Sequence, residues 1–211
     1  MSRNSEPNSP TARNRSGSDA VSNTLHASRS ERKRRRAVID FSQDYFSLFG
    51  LPRSYSFDAS ALDAAYRRLQ SEIHPDRFAS AGEAERRLAL QSSARVNEAY
   101  RSLKDPVERA QYLLSLRGVD ALAETDTSLP MEFLESQLER REAIADAIGQ
   151  RDASALDAIK HEVRKQSGEL ERVLVDQLDQ DQDNAITTVR KLKFLSKLAA
   201  DIDGAHVRIE D

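Results

Sequence analysis

The chain contains no cysteine, and seven glycines and six prolines are the only helix breakers in its 211 residues. The missing thiols exclude disulfides, thiolate zinc sites, cysteine nucleophiles and any metal cluster held by the chain's own sulfurs. Scarce glycine and proline leave long uninterrupted stretches, which favours helix. No apolar run approaches the roughly 20 residues needed to cross a bilayer, so no membrane partner is expected. No glycine-rich phosphate loop or nucleophile elbow occurs, and no enzyme activity, metal or cofactor is expected. His26 lies in the N-terminal tail, His161 among polar residues and His206 near the end of the chain, and each is expected to be a solvated surface residue.

Apolar residues make up 38% of the chain and charged residues 32%. That balance suits a helical protein with thin cores rather than an enzyme with a deep pocket. The net charge is −3 but unevenly spread. Residues 1–40 hold nine basic and four acidic side chains, which gives +5 and leaves −8 for the remainder. This segment is rich in Ser, Asn and Arg and too poor in apolar residues to offset the entropy of ordering, so a disordered basic tail is expected. Its Arg32-Lys33-Arg34-Arg35-Arg36 run could touch nucleic acid or anionic lipid; a solvated tail is the simpler reading.

From residue 44 the pattern is helical. Leu62, Tyr66, Leu69 and Ile73 recur at helical spacing over 58–73, with Arg67, Arg68 and Glu72 mostly on the opposite face. Ala89, Val96, Ala99 and Leu103 mark a second helix over 83–103. Between them stands His74-Pro75-Asp76. Pro75 lacks an N–H and restricts the residue before it, so it stops the first helix. The segment predicts a stiff, exposed turn presenting an imidazole and a carboxylate. Gly50, followed by Leu51-Pro52, closes an opening helix. Asp58 is a good N-cap. Asp105, Pro106 and Glu108 start a fourth helix that stops at Arg117-Gly118.

After a linker, Pro130 opens a helix to about residue 148 with Gly149 as its stop. Asp152 caps a helix over 153–178, and Asp183 is expected to cap a last helix over 184–202. Leu156, Ile159, Val163, Leu170, Leu174 and Leu178, then Ile186, Val189, Leu192, Leu195 and Leu198, form stripes wide enough for a three-helix antiparallel bundle. Glu135, Glu139, Glu142 and Asp146 line one face of the first of these helices, beside Leu134 and Leu138. Like charges one turn apart weaken an isolated helix, so the row reads either as a face for a basic partner or as an ordinary solvated face.

His74-Pro75-Asp76 between two helices resembles the J-domain, the module by which co-chaperones activate ATPase chaperones of the DnaK type. More specifically, the chain resembles the iron–sulfur co-chaperone family HscB. The match is carried by Asp44-Tyr45-Phe46-Ser47-Leu48-Phe49-Gly50-Leu51, the run from His74 to Ser80, Val96-Asn97-Glu98-Ala99-Tyr100, the run from Arg109 to Leu116, and Thr188-Val189-Arg190-Lys191-Leu192-Lys193-Phe194-Leu195. The resemblance implies an all-α protein: behind the disordered tail (1–40) read from composition, a J-domain (44–118), a linker (119–129) and a C-terminal three-helix bundle of the HscB oligomerisation type (130–205).

It further implies two partners. His74, Pro75 and Asp76, flanked by Arg67, Arg68 and Arg77, would engage an HscA- or DnaK-type ATPase chaperone and stimulate ATP hydrolysis. Arg77 stands where many J-domains carry Lys. Leu134, Leu138, Glu139, Glu142, Asp146 and Phe194 would bind an IscU-type scaffold, on which an iron–sulfur cluster is assembled. Glu135 departs from relatives that carry Met there. The tail has no counterpart in the usual family pattern. Its few large apolar residues and the missing paired cysteines of many eukaryotic relatives point to the bacterial cytoplasm rather than the mitochondrial matrix. A general J-domain adaptor serving another client is the alternative; a nucleic-acid-binding protein acting through the tail ranks last.

Overall fold

Most helices begin where an aspartate side chain satisfies free N–H groups, whereas Gly82 and Pro130, ahead of two others, supply no side-chain cap. The computed structural model describes residues 39–123 and 128–210, the side chains of residues 75 and 210 excepted. The basic tail with Arg32 to Arg36, and the middle of the linker, lie outside the described residues. Helix α1 is Tyr45–Phe49, N-capped by Asp44, and it ends at Gly50. Gly50 adopts φ 70°, the left-handed region that glycine enters without steric cost. Helix α2, Ala59–Ile73, is capped by Asp58 through the Ser60 N–H. A 3₁₀ turn over Pro75–Phe78 leads to α3, Glu83–Lys104. Helix α4, Pro106–Ser115, starts with Asp105 accepting from the N–H groups of Val107 and Glu108.

Helices α5 (Met131–Gly149), α6 (Ala153–Gln180) and α7 (Gln182–Glu210) complete the chain. The described residues contain no strand, so the all-α class holds. Asp152 caps α6 through the Ala155 N–H, as its position predicts. Gly149 is the last residue of α5, but the left-handed position that closes this end falls on Arg151, at φ 53°. There the Asp152 N–H reaches the Ala147 carbonyl and the Arg151 N–H that of Ile148, a doubly bonded helix end.

The last helix differs from expectation at both ends. Asp181, not Asp183, accepts from the Asn184 N–H, and Asp183 lies within the first turn. At its far end α7 continues past 202 because Leu198, Ile202 and Ala205 remain buried at helical spacing and Ile209 packs beside them. Gly204, inside that stretch, costs about 1 kcal/mol in propensity, less than the burial of a single large side chain returns.

The apolar residues divide into two cores. One contains Phe133, Ile144, Leu156, Val163, Leu195, Leu198 and Ile202 from α5, α6 and α7. The other contains Phe46, Leu62, Ile73, Val96, Leu103 and Leu114 from α1 to α4, together with Leu174 and Leu178 of α6 and Val189 and Leu192 of α7. The α6–α7 hairpin therefore completes the core of the N-terminal four helices. Polar ties reinforce the junction. Arg190 Nε donates to the Ala121 carbonyl at 2.8 Å, Arg117 Nη1 donates to the Leu178 carbonyl, and Lys193 pairs with Glu108.

Candidate functional site

The corner at residues 74–76 is aimed by the helix pair beneath it. Tyr66 of α2 and Tyr100 of α3 stack with ring centroids 4.0 Å apart. Tyr66 Oη donates to Asn97 Oδ1 at 2.9 Å and accepts from Gln70 Nε2 at 2.7 Å. One turn earlier, Asp63 accepts from Tyr100 Oη at 2.9 Å and from Lys104 Nζ at 2.7 Å. The hydrogen bonds from Lys104, then Tyr100, hold the Asp63 carboxyl below the ordinary carboxylate range. These bonds fix the register of α2 on α3 two to three turns before α2 ends.

At that end Ile73 is buried and His74 turns to an extended backbone, φ −55° and ψ 129°, as a residue before proline must. His74 Nδ1 accepts from the Asp76 N–H at 3.3 Å, so the neutral ring carries its proton on Nε2, away from its own backbone. The His74 carbonyl accepts from the Arg77 N–H at 3.0 Å. The His74 side chain is 53% exposed and that of Asp76 is 89% exposed, with 3.5 Å between Nδ1 and Oδ2. The expected exposed pair is present.

Arg67 and Arg68 are exposed on α2, about two turns before His74. Arg77 is also exposed, but its Nη1 donates to the Ser71 carbonyl at 2.7 Å. It thus ties the turn to the C-terminal end of α2, where unpaired carbonyls attract a cation.

A second group of the sequence-derived residues lies on α5. Leu134 is 40% exposed and Leu138 60%, and Glu135, Glu139, Glu142 and Asp146 are all exposed beside them. Phe194, on α7, is half-buried. It meets Phe133 edge to face at 5.8 Å, and the Arg141 guanidinium sits 5.3 Å from its ring centroid. It belongs partly to the core and presents only one side. Sequence reasoning missed this Phe133–Phe194–Arg141 clamp and the Tyr66–Asn97 bond. The clamp carries no local sequence signal, whereas the facing positions of Tyr66 and Asn97 follow once α2 and α3 are paired.

The described residues match two known modules in order. The DnaJ domain family matches residues 44–112, and the HSCB C-terminal oligomerisation domain matches 129–203. Over 169 residues the chain is 49% identical to the Co-chaperone protein HscB homolog of Cupriavidus taiwanensis, covering 80% of this chain and 96% of that one. The chain belongs to the HscB co-chaperone family. A second relative of the same name, from Burkholderia multivorans, is 46% identical over 175 residues, covering 82% of this chain and 99% of its own. Among solved HscB structures, the chaperone HscB from Vibrio cholerae aligns with TM-score 0.70 at 36% identity, over 79% of this chain and 99% of that one. The human co-chaperone protein HscB aligns with TM-score 0.73 at 29% identity, over 79% and 83%. The HscB arrangement of J-domain followed by helical bundle is therefore the fold of this chain.

Proposed function

We propose that this chain is a J-domain co-chaperone of iron–sulfur cluster biogenesis in the bacterial cytoplasm. Its J-domain (44–118) engages an HscA-type ATPase chaperone and its bundle (130–205) carries an IscU-type scaffold. The observation that supports this best is the exposed His74–Asp76 corner, held by the bonds of Arg77 and of the Tyr66–Asn97 pair. Asp76 offers a carboxylate to an arginine of the ATPase, a charge-assisted pair. Because the corner is already ordered, little conformational entropy is lost on docking. Arg67 and Arg68 present positive charge to an acidic patch, a term that speeds encounter and weakens with salt. The chaperone responds because the corner binds its hydrolysis-competent state more tightly than the alternative.

On the other surface, Leu134, Leu138 and one side of Phe194 serve as apolar anchors, and Glu139, Glu142 and Asp146 form the charged rim. Scaffold delivered with its cluster is then gripped as ATP is hydrolysed, which promotes cluster transfer. The reading is tested by steady-state ATP turnover of an HscA-type chaperone with the full chain and with His74→Gln. The wild type is expected to accelerate turnover and the variant to have no effect while still binding the scaffold. Equal acceleration by both proteins refutes the assignment. Recovery of other clients without scaffold, in a pull-down, makes the chain a general adaptor instead.

A further inference from the structure

Met131 opens α5 and is 69% exposed, the most exposed large apolar side chain among the described residues. It belongs to neither core. The residue in front of it, Pro130, supplies no side-chain cap, and Met131 has no side-chain hydrogen-bonding group with which to serve one. Three and seven residues later come Leu134 and Leu138, also exposed and also outside both cores. That spacing puts the three side chains in one stripe along the helix. A single exposed hydrophobe needs no explanation, but a contiguous stripe marks an interaction surface.

We infer that Met131 is a fourth apolar anchor of the surface that holds the scaffold, the third on α5, extending it by a turn toward the start of that helix. The inference rests on the scaffold-binding reading given above. Charge chooses the occupant. Glu135, Glu139, Glu142 and Asp146 run alongside the stripe, and all are exposed. The matching partner surface is an apolar patch bordered by lysine or arginine. Unlike the two leucines, the unbranched thioether adapts to an irregular partner surface. It also sits one turn from Glu135, on the same side of the helix. A carboxylate at 135 cannot be buried without a partner, so the stripe obtains its apolar reach from 131.

The test measures the affinity of a purified IscU-type scaffold for the full chain by calorimetry, with circular dichroism and melting as fold controls. Met131→Gln keeps the side-chain length and helix propensity and removes the apolar end. It is expected to weaken binding about fivefold to tenfold, the loss typical of an interface anchor. Adding Glu135→Met, which returns a thioether one turn along the same face, is expected to recover most of that loss. Leu134→Ala/Leu138→Ala/Phe194→Ala serves as the reference. If the reference variant loses binding while Met131→Gln binds like wild type, the role of Met131 is overturned and the scaffold reading stands. If the reference variant also binds like wild type, the scaffold surface itself is misplaced and the inference falls with it.

Discussion

Leu178 lies near the C-terminal end of α6, yet it is buried in the core formed by α1 to α4. Replacing it with alanine removes a branched side chain from a site with almost no solvent contact. The lost transfer energy and residual cavity together cost about 3 kcal/mol, within the usual range of about 2–5 for such a change. A cooperative unit of about 170 residues loses roughly 2–4 °C in Tm per kcal/mol, so the shift is about 6–12 °C. The chain reports its own halves separately. It has no tryptophan, and all five tyrosines, at 45, 55, 66, 100 and 112, lie before the bundle. Tyrosine fluorescence therefore follows the J-domain, while far-UV circular dichroism follows every helix. With Leu178→Ala both signals are expected to move together to the lower midpoint, because the substituted side chain is part of the J-domain's own core. An unmoved tyrosine midpoint beside a lowered dichroism midpoint would refute a shared core and would free the corner from the bundle.

The Asp44 cap gives a test in pH. Burial alone would raise its carboxyl, but hydrogen bonds from Arg53 and Ser47 outweigh that and hold it down to about 2. A depressed carboxylate adds stability above about pH 4 that is lost as pH falls through about 2. The exposed side chain of Arg53 limits this to about 1 kcal/mol. Asp44→Asn, which keeps a capping side chain, should therefore be less stable than wild type at neutral pH and indistinguishable near pH 2; a gap that does not change with pH in denaturant titrations would contradict the charge argument. Asn97→Ala removes the acceptor of the Tyr66 hydroxyl. It should cost about 1 kcal/mol and raise the co-chaperone concentration needed for half-maximal ATPase stimulation, leaving the maximum intact. An unchanged half-saturation point would deny the bond any part in aiming the corner.

The sequence was most legible where a local rule has one solution. Asp58, Asp105 and Asp152 each stand alone ahead of an apolar stripe, and each caps its helix. The Asp-Gln alternation from 179 to 183 offers three carboxylates within five residues, and position alone does not choose among them; Asp181 is the one that meets the Asn184 N–H. Periodicity also fixes which face of α6 is apolar but not what covers it. Leu156 and Val163 face the bundle, while Leu174 and Leu178, on the same stripe, enter the J-domain core. Phe194 shows the same limit, because spacing alone lets an aromatic between Leu192 and Leu195 pack inward or outward, and its contact with Phe133 is long-range. Arg77 reads as a docking cation from its place beside the tripeptide; its bond to the Ser71 carbonyl gives it a local duty as well.

The most direct test of a carrier that presents its cargo to the ATPase uses two damaged proteins together. ATP turnover by an HscA-type chaperone is measured with scaffold present, once with the wild-type chain and once with an equimolar mixture of His74→Gln and Leu134→Ala/Leu138→Ala/Phe194→Ala. The expected result is scaffold-dependent acceleration by the wild type that the mixture does not reproduce, because corner and cargo face must belong to one molecule. Full acceleration by the mixture, or none by the wild type, would contradict it.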